Sequence, residues 1–281
     1  MIGPQKKALF SASCALLALA AFGSAPAHAD PSPALDRVSL WLGGFYSDTQ
    51  TRIGATGRSG LISGYTGHFS LEDDLGFREH KTVPRARLDF LIGDHQGFSF
   101  DFFGIDRTHS RSISSDIGYD GVSFPASARV DGKLNFNFGS ASYRWWFGTG
   151  SDVFGLGIGA AYYGVKARVE GRASIDGYTG DAVASTHETA WAPVLQLGWR
   201  HAFSHNLRIY ADAYGVKKNG GKLAGHIYNA ALGLEWFPIE NLGIGAEYDY
   251  TRIRLDQNHP SYQANLDMRL KGPSLFARLR F

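Results

Sequence analysis

The sequence predicts an all-β protein, an antiparallel up-and-down transmembrane β-barrel of about ten strands, and two observations carry this prediction. Glycine makes up 35 of 281 residues and aromatic residues 14%, while charged residues make up only 19% and the mean hydropathy is −0.18. That composition is typical of many strands and turns rather than of apolar membrane helices. Apolar residues also recur at every second position along much of the chain, which is the period of a half-buried strand.

The strands follow from this alternation. It is clearest over 84–92, 98–102, 134–138, 207–214 and 242–249. We predict strands at about 37–48, 82–93, 97–108, 129–147, 153–172, 186–203, 206–218, 222–237, 242–255 and 264–281. Eight or twelve strands are the alternatives to ten.

The connections between these strands alternate in length. Those at 93–96, 148–152, 204–205 and 238–241 are tight, whereas those at 49–81 and 109–128 are long and polar. Outer-membrane barrels of bacteria have short turns in the periplasm and longer loops outside the cell. The pattern therefore favours a barrel of this kind.

A soluble β-sandwich is the main alternative, because its strands also alternate. Aromatic residues such as Trp145, Trp199 and Trp236 cluster beside the tight turns, as in the aromatic girdles of membrane barrels. The strands also carry charged residues in mid-strand on the face that is not apolar. Lys133, for example, points to the other side of its strand from the neighbouring Leu134. A dry sandwich core would accommodate such charges only at a heavy desolvation cost, whereas a barrel lumen can hydrate and pair them.

We therefore predict a network of charges in the lumen. Because the positive and negative residues are roughly balanced, and small barrels are nearly filled by their own side chains, we expect a largely plugged interior. The predicted members are Arg85, Arg87, Asp89, Asp101, Lys133, Lys166, Arg168, Arg208, Asp212, Glu247 and Arg278.

The first residues have the layout of a cleaved secretory signal peptide over 1–29. Lys6 and Lys7 precede an apolar stretch over 8–22, and Ala27-His28-Ala29 forms a small-residue cleavage site. Cleavage would leave 30–281 as a single barrel domain without cysteine, since Cys14 is the only one. A nucleic-acid-binding function is excluded, because there is no basic block and the formal net charge is only +2.

The last residues carry a resemblance. Leu275, Ala277 and Leu279 alternate with polar or small residues, and the chain ends on the aromatic Phe281. This pattern resembles the C-terminal strand signature of bacterial outer-membrane β-barrel proteins, and the chain as a whole is similar to small barrels of the OmpA/OmpX/OmpW kind. The resemblance implies recognition by the barrel assembly machinery, location in the outer membrane, and contact with outer-membrane lipid and lipopolysaccharide.

A second resemblance involves the stretch Glu72-Asp73-Asp74-Leu75-Gly76. It is similar to one found in uncharacterised proteobacterial outer-membrane proteins, which implies a shared barrel subtype and no activity. Glu72, Asp73 and Asp74 predict an acidic turn. Loop 49–81 is long enough for this turn to fold into the barrel mouth facing Arg85 and Arg87, and the alternative is a solvated extracellular loop.

No catalytic, cofactor or metal site is predicted. An omptin-type surface protease would need an Asp pair and an Asp–His pair at the outer rim, and here Asp106 and His109 are only close in sequence. We expect a barrel with a structural or surface-interaction role, acting through loops 49–81 and 109–128. The alternatives are a narrow passive channel for small solutes gated by loop 49–81, and an outer-membrane enzyme that hydrolyses lipids or peptides. The sequence does not identify an extracellular ligand.

Overall fold

A computed structural model describes residues 32–57, 66–73, 80–112, 117–119, 122–124, 129–175, 178–258 and 262–281. The predicted signal peptide lies outside these residues. The described strands are β1 (Val38–Gly57), β2 (Thr66–Ser70), β3 (His80–Leu91), β4 (Gln96–Ser112), β5 (Ile117–Tyr119), β6 (Val122–Phe124), β7 (Arg129–Phe147), β8 (Asp152–Ile175), β9 (Tyr178–Ala202), β10 (Leu207–Lys218), β11 (Leu223–Ile239), β12 (Leu242–Asn258) and β13 (Tyr262–Arg280). Within the same ranges, no helix is long and apolar enough to cross a membrane.

Ten long strands form a closed, all-antiparallel barrel, so the predicted fold class is confirmed. Each long strand pairs with its neighbours along the chain, and β1 pairs with β13 from Ser39↔Arg280 to Gly57↔Tyr262 to close the wall. The short strands add to the rim: β2 pairs with β1, and β5 and β6 form a hairpin that touches β8.

The two ends of the barrel differ. The end with the short connections 92–95, 148–151, 203–206 and 240–241 is called the turn end, and the other is called the loop end. Gly93, Gly148 and Gly150 adopt positive φ angles of 75°, 111° and 95° in these short connections, a backbone conformation that residues with a Cβ rarely adopt.

An apolar belt surrounds the outer face of the barrel near the turn end. Its side chains are strongly exposed although they are apolar, such as Leu275 at 73% and Leu195 at 61%. Aromatic residues border the belt on both sides, as expected for membrane girdles. Those toward the turn end are Trp145, Phe147, Phe203 and Trp236, and those toward the loop end are Tyr46, Trp191, Tyr228, Tyr248 and Tyr250.

The wall continues well beyond the belt toward the loop end. There the strands reverse their exposure: polar side chains face outward and apolar side chains face the lumen. β1 extends to Gly57 and β4 to Ser112. Residues 49–57 of the predicted loop 49–81 and residues 109–112 of the predicted loop 109–128 therefore belong to strands. The outward residues of this part of the wall, such as Gln50 and Asp106, are polar and exposed. This polarity makes the strand segments resemble loops in the sequence.

The reversal corrects the orientation predicted for β7. Leu134, Phe136 and Phe138 are almost completely buried in the lumen, whereas Lys133 is exposed on the outer face. Lys166 and Arg168 of β8 are exposed on the outer face as well. The physical reason is that this part of the wall extends beyond the belt, where water solvates charges outside the barrel more favourably than the apolar lumen.

Candidate functional site: the barrel lumen

Arg85 forms the centre of one buried ion cluster in the lumen. Its guanidinium group donates to Asp101, with Nε 2.9 Å from Oδ1, and its Nη1 lies 2.6 Å from Oδ2 of Asp249. Asn229 and Thr251 donate to the same Asp249 carboxylate at 3.0 and 2.8 Å. Each of these polar groups is buried, so each depends on the others for the hydrogen bonds that water would otherwise provide.

Arg87 anchors a second cluster toward the turn end. Its two terminal nitrogens donate to the two oxygens of Glu247 at 2.7 and 2.8 Å, the bidentate arrangement that arginine and carboxylate favour. Tyr210 donates to Glu247 at 2.7 Å and accepts from the indole nitrogen of Trp41 at 3.3 Å. The guanidinium group of Arg87 lies over the Trp41 ring, 4.5 Å from its centroid. This cluster therefore links β1, β3, β10 and β12 across the barrel.

A third group of arginines fills the lumen at the turn end. Arg200 donates to Asp212 at 2.8 Å, and Arg144 donates to Gln196 at 2.7 Å and approaches Asp212 at 3.5 Å. Arg278 binds Glu235 at 2.7 Å and lies 3.6 Å from Asp89. Gly155, Gly157 and Gly198 leave room for the neighbouring Trp146, Gln196 and Asp212, because a Cβ at those positions would meet these side chains.

The segment 32–37 closes the turn end. Ala34 and Leu35 are buried and pack against Trp146, Val153 and Ala202. Asp36 accepts two hydrogen bonds of 2.8 Å from Arg208. Arg37 lies 3.4 Å from Asp94 in the turn between β3 and β4. A short segment with a turn at residues 33–34 thus covers the base of the ion clusters.

The loop-end half of the lumen is apolar. Phe103 contacts both Phe136 and Phe138, and Phe138 stacks on Tyr214, with ring centroids 5.0 to 6.0 Å apart. Buried residues from all the long strands join the same cluster, among them Ile53, Val83, Val165, Val194, Ile227, Ile253 and Met268. The interior is therefore filled by ions near the turn end and by hydrocarbon near the loop end.

Glu72 folds into this half of the barrel. It forms an ion pair with Arg107, and its Oε2 accepts from the backbone nitrogen of Thr51 at 2.7 Å. The neighbouring Leu71 is buried in the apolar cluster, whereas Asp73 is exposed. Asp74 lies outside the described residues. The acidic turn thus enters the barrel through Glu72, and its partner is Arg107 rather than Arg85 or Arg87.

The structure places most of the predicted lumen charges together. Arg85, Arg87, Asp89, Asp101, Arg208, Asp212, Glu247 and Arg278 face the lumen, and Lys133, Lys166 and Arg168 do not. The sequence prediction omitted several members from the network: Asp36, Arg107, Arg144, Arg200 and Tyr210. A usable signal existed for Arg144 and Arg200, since they share their parity with the polar Ser142 and Gln196 and alternate with apolar residues.

The residues considered for catalysis lie apart. Asp106 is exposed on the outer face of β4, and His109 lies at a position of opposite parity. His201 contacts Asp152 at 2.9 Å, and Trp199 donates to the same carboxylate at 3.3 Å, but this group lies on the outer face at the turn end. Among the described residues, no group of three or more His, Cys, Asp or Glu side chains is arranged to hold a metal ion.

No protein-family model and no curated protein matches the chain. Among solved structures, it is similar to the outer membrane protease OmpT from Escherichia coli, with a TM-score of 0.54 and 9% identity over 90% of this chain and 99% of that one. It also matches OprG from Pseudomonas aeruginosa, with a TM-score of 0.39 and 8% identity over 89% and 99% of the two chains. The P. putida toluene transporter TodX gives a TM-score of 0.33 and 9% identity over 89% and 92%.

The likeness to OmpT concerns the fold alone, because 9% identity carries no information about chemistry. The chain has the fold of the outer-membrane β-barrels that its sequence resembles.

Proposed function

We propose that the protein is an integral outer-membrane barrel with a sealed lumen, which serves a structural or surface-interaction role through its loop end. The observation that carries this proposal is the filling of much of the lumen by the segment 32–37, the ion clusters and the apolar cluster. In the proposed orientation the turn end faces the periplasm and the loop end faces outside, as in barrels with short periplasmic turns.

Export and insertion belong to the same proposal. A signal peptide over 1–29 would carry the chain across the inner membrane. Leu275 and Phe281 are exposed on the outer face of the barrel, at 73% and 59%, where the assembly machinery could contact them before lipid does. Leu279 and Ala277 share that face of β13.

The decisive experiment is the conductance of the purified, refolded barrel in planar bilayers, with folding verified by heat-modifiable gel mobility. We expect no stepwise conductance, and no uptake of small sugars into liposomes that contain the protein. Stable conductance steps from the unaltered protein would contradict a sealed lumen.

A gated channel is the second candidate, and the buried Glu72 favours it. The ion pair with Arg107 and the hydrogen bond to Thr51 hold the acidic turn in the barrel mouth, so displacement of this turn would widen the mouth. Deletion of 66–80 tests the idea. Sugar uptake that appears only in the deleted form would support gating by loop 49–81, whereas no uptake in either form would support the sealed barrel.

A hydrolytic enzyme is not the function we propose. The support is the separation of Asp106 from His109 on the wall of β4, since a general base must lie within hydrogen-bonding reach of its partner. The refolded barrel should leave phospholipid, lipopolysaccharide and denatured peptide substrates intact over long incubation. Release of fatty acid or of peptide fragments, lost after the Asp106→Asn change, would contradict this expectation.

A further inference from the structure

A cluster of arginines lies on the outer face of the wall, just beyond the apolar belt toward the loop end. It is formed by Arg52 of β1, Arg252 and Arg254 of β12, and Arg269 of β13, and it is called the arginine grid. The strand register places Arg254 opposite Asp267, which is opposite Arg52, and it places Arg252 opposite Arg269. The four guanidinium groups therefore belong to adjacent positions on three neighbouring strands.

The charges of the grid are not balanced. Asp267 is shared by Arg252 and Arg254, at 3.0 and 3.2 Å. Asp256 is exposed on the same face of β12 and lines the same groove, so four arginines against two carboxylates leave a surplus of two positive charges. Arg52 and Arg269 are exposed, and neither forms a salt bridge within the described part of the chain. Arg252 and Arg269 are direct cross-strand neighbours, and like charges in that position destabilise a sheet unless an anion lies between them.

A groove accompanies the grid. It has a volume of about 630 Å³ and is lined by Arg52, Arg254 and Asp267, together with Ser70 of β2, His226 of β11 and Asp256 of β12. The lining offers guanidinium donors, a hydroxyl group and an imidazole, which are donors suited to phosphate oxygens.

The position of the grid indicates the source of the anion. Tyr250, at the loop-end border of the belt, is two residues from Arg252 on the same face of β12. At a strand rise of about 3.3 Å per residue, Arg252 is about 7 Å and Arg254 about 13 Å from Tyr250 along β12, so the grid begins just outside the hydrocarbon. This step rests on the orientation in the proposed function, which makes the adjacent surface that of the outer leaflet.

The opposite wall provides a contrast. On β7 and β8, the outward charges beyond the belt are Lys133, Lys166 and Arg168 against Asp131 and Glu170. Their surplus is a single positive charge, and Arg168 is already paired with Glu170. The accumulation of positive charge is therefore a property of the β1–β12–β13 side and not of the whole circumference.

We propose that the arginine grid binds the phosphates of an outer-leaflet lipid headgroup, and so fixes a phosphorylated glycolipid against this side of the barrel. Arg52 and Arg269 supply the guanidinium groups that form no salt bridge with the described residues. Asp267 orients Arg252 and Arg254 toward the same site.

The test uses the full-length mature barrel in detergent and the bisphosphorylated glycolipid lipid A as the probe, with bound lipid measured by native mass spectrometry. The variant Arg52→Gln/Arg269→Gln removes two positive charges from the grid. Each basic residue near a membrane surface contributes about 1 kcal/mol, and 1.4 kcal/mol is a factor of ten, so the variant should bind about 30-fold more weakly. The matched control Lys133→Gln/Lys166→Gln removes the same charge from the opposite wall and should stay within about threefold of the unaltered protein.

Further measurements test whether positive charge is sufficient for binding, and whether the bound phosphate belongs to a lipid or to a soluble ion. The variant Arg52→Lys/Arg269→Lys should retain most of the lipid A binding. Dephosphorylated lipid A should bind the unaltered protein as weakly as lipid A binds the variant Arg52→Gln/Arg269→Gln. Equal loss in the two glutamine variants, or equal binding of dephosphorylated lipid A, would overturn the proposal. Displacement of lipid A by an equal concentration of inorganic pyrophosphate would assign the grid to soluble phosphates and would also overturn it. A conducting barrel would refute the sealed lumen while leaving these binding results unaffected.

Discussion

At the scale of single residues, the lumen depends on buried carboxylates that hold more than one partner. Asp249 is fully buried and accepts from Arg85, Asn229 and Thr251. Removing it leaves a buried guanidinium group and a buried amide with fewer partners. The loss of one member of a buried ion pair is strongly destabilising because an uncompensated charge remains.

We predict that Asp249→Ala lowers the free energy of unfolding by about 3–5 kcal/mol, measured from urea titration followed by heat-modifiable gel mobility. The control is Asp48→Ala, which removes the partner of the half-exposed Lys271 at 3.3 Å. An exposed pair contributes less than about 1 kcal/mol. Equal losses in the two variants would show that the lumen cluster contributes no more than a surface pair.

The absence of a side chain at Gly233 makes room for the ring of Tyr210 in the lumen. A Cβ built there would overlap the ring of Tyr210, and that ring is fixed by its hydrogen bonds to Trp41 and Glu247. We predict that Gly233→Ala destabilises the barrel by about 1–3 kcal/mol and that the effect largely disappears in the Tyr210→Ala background. A full-sized loss in both backgrounds, measured by the same urea titration, would place the strain elsewhere.

At the scale of elements, the segment 32–37 behaves as a strap across the turn end. Its contact with the barrel wall depends on the two hydrogen bonds between Asp36 and Arg208 and on the packing of Leu35. We predict that Asp36→Ala releases the strap, so that trypsin cleaves after Arg37 faster than in the unaltered barrel. The control is Asp152→Ala, which changes a carboxylate at the same end without touching the strap. Unchanged protection of Arg37 would mean that the packing of Leu35 and the contacts of Arg37 with Asp94 and Leu91 hold the segment without Asp36.

The seam between β1 and β13 is the closing element of the barrel. Val38 and Phe281 exchange two backbone hydrogen bonds of 2.9 Å, which fixes the register of the last pair. We predict that deletion of Phe281 lowers the amount of folded barrel recovered in the membrane fraction, while a chain refolded in detergent still forms the barrel. Normal recovery in the membrane fraction would argue against the assembly signal that the resemblance implies.

The sequence predicted the positions of the strands well, but it predicted less well which face of each strand points into the lumen. Alternation located all ten long strands, because a period of two appears on whichever side the apolar residues face. It could not identify the side, as Leu134, Phe136 and Phe138 show, since they alternate like lipid-facing residues and point inward. The inward parity of Arg144 in the same strand was the available clue. Pairings such as Arg87 with Glu247 join residues 160 positions apart, a separation at which a single sequence carries no signal.

At the scale of the whole molecule, two sets of charges should respond differently to salt. The lumen pairs are buried, so dissolved ions screen them weakly, whereas the arginine grid is exposed and is screened over about one Debye length. Raising NaCl from about 0.05 M to about 0.5 M should change the temperature of the gel-mobility transition only slightly. The same change should weaken lipid A binding at least tenfold. A transition temperature that falls steeply with salt would show that water and ions reach the lumen clusters.

The reversal of exposure along the strands has a consequence for any partner outside the cell. Beyond the belt the barrel has a hydrocarbon interior and a polar exterior, so this half is stabilised in the same way as a water-soluble β-barrel. In the proposed orientation, a partner outside the cell would meet a preformed cylindrical wall of paired strands. Recognition on that wall would require little ordering of the protein, so the binding free energy would not be reduced by a large entropy loss on ordering.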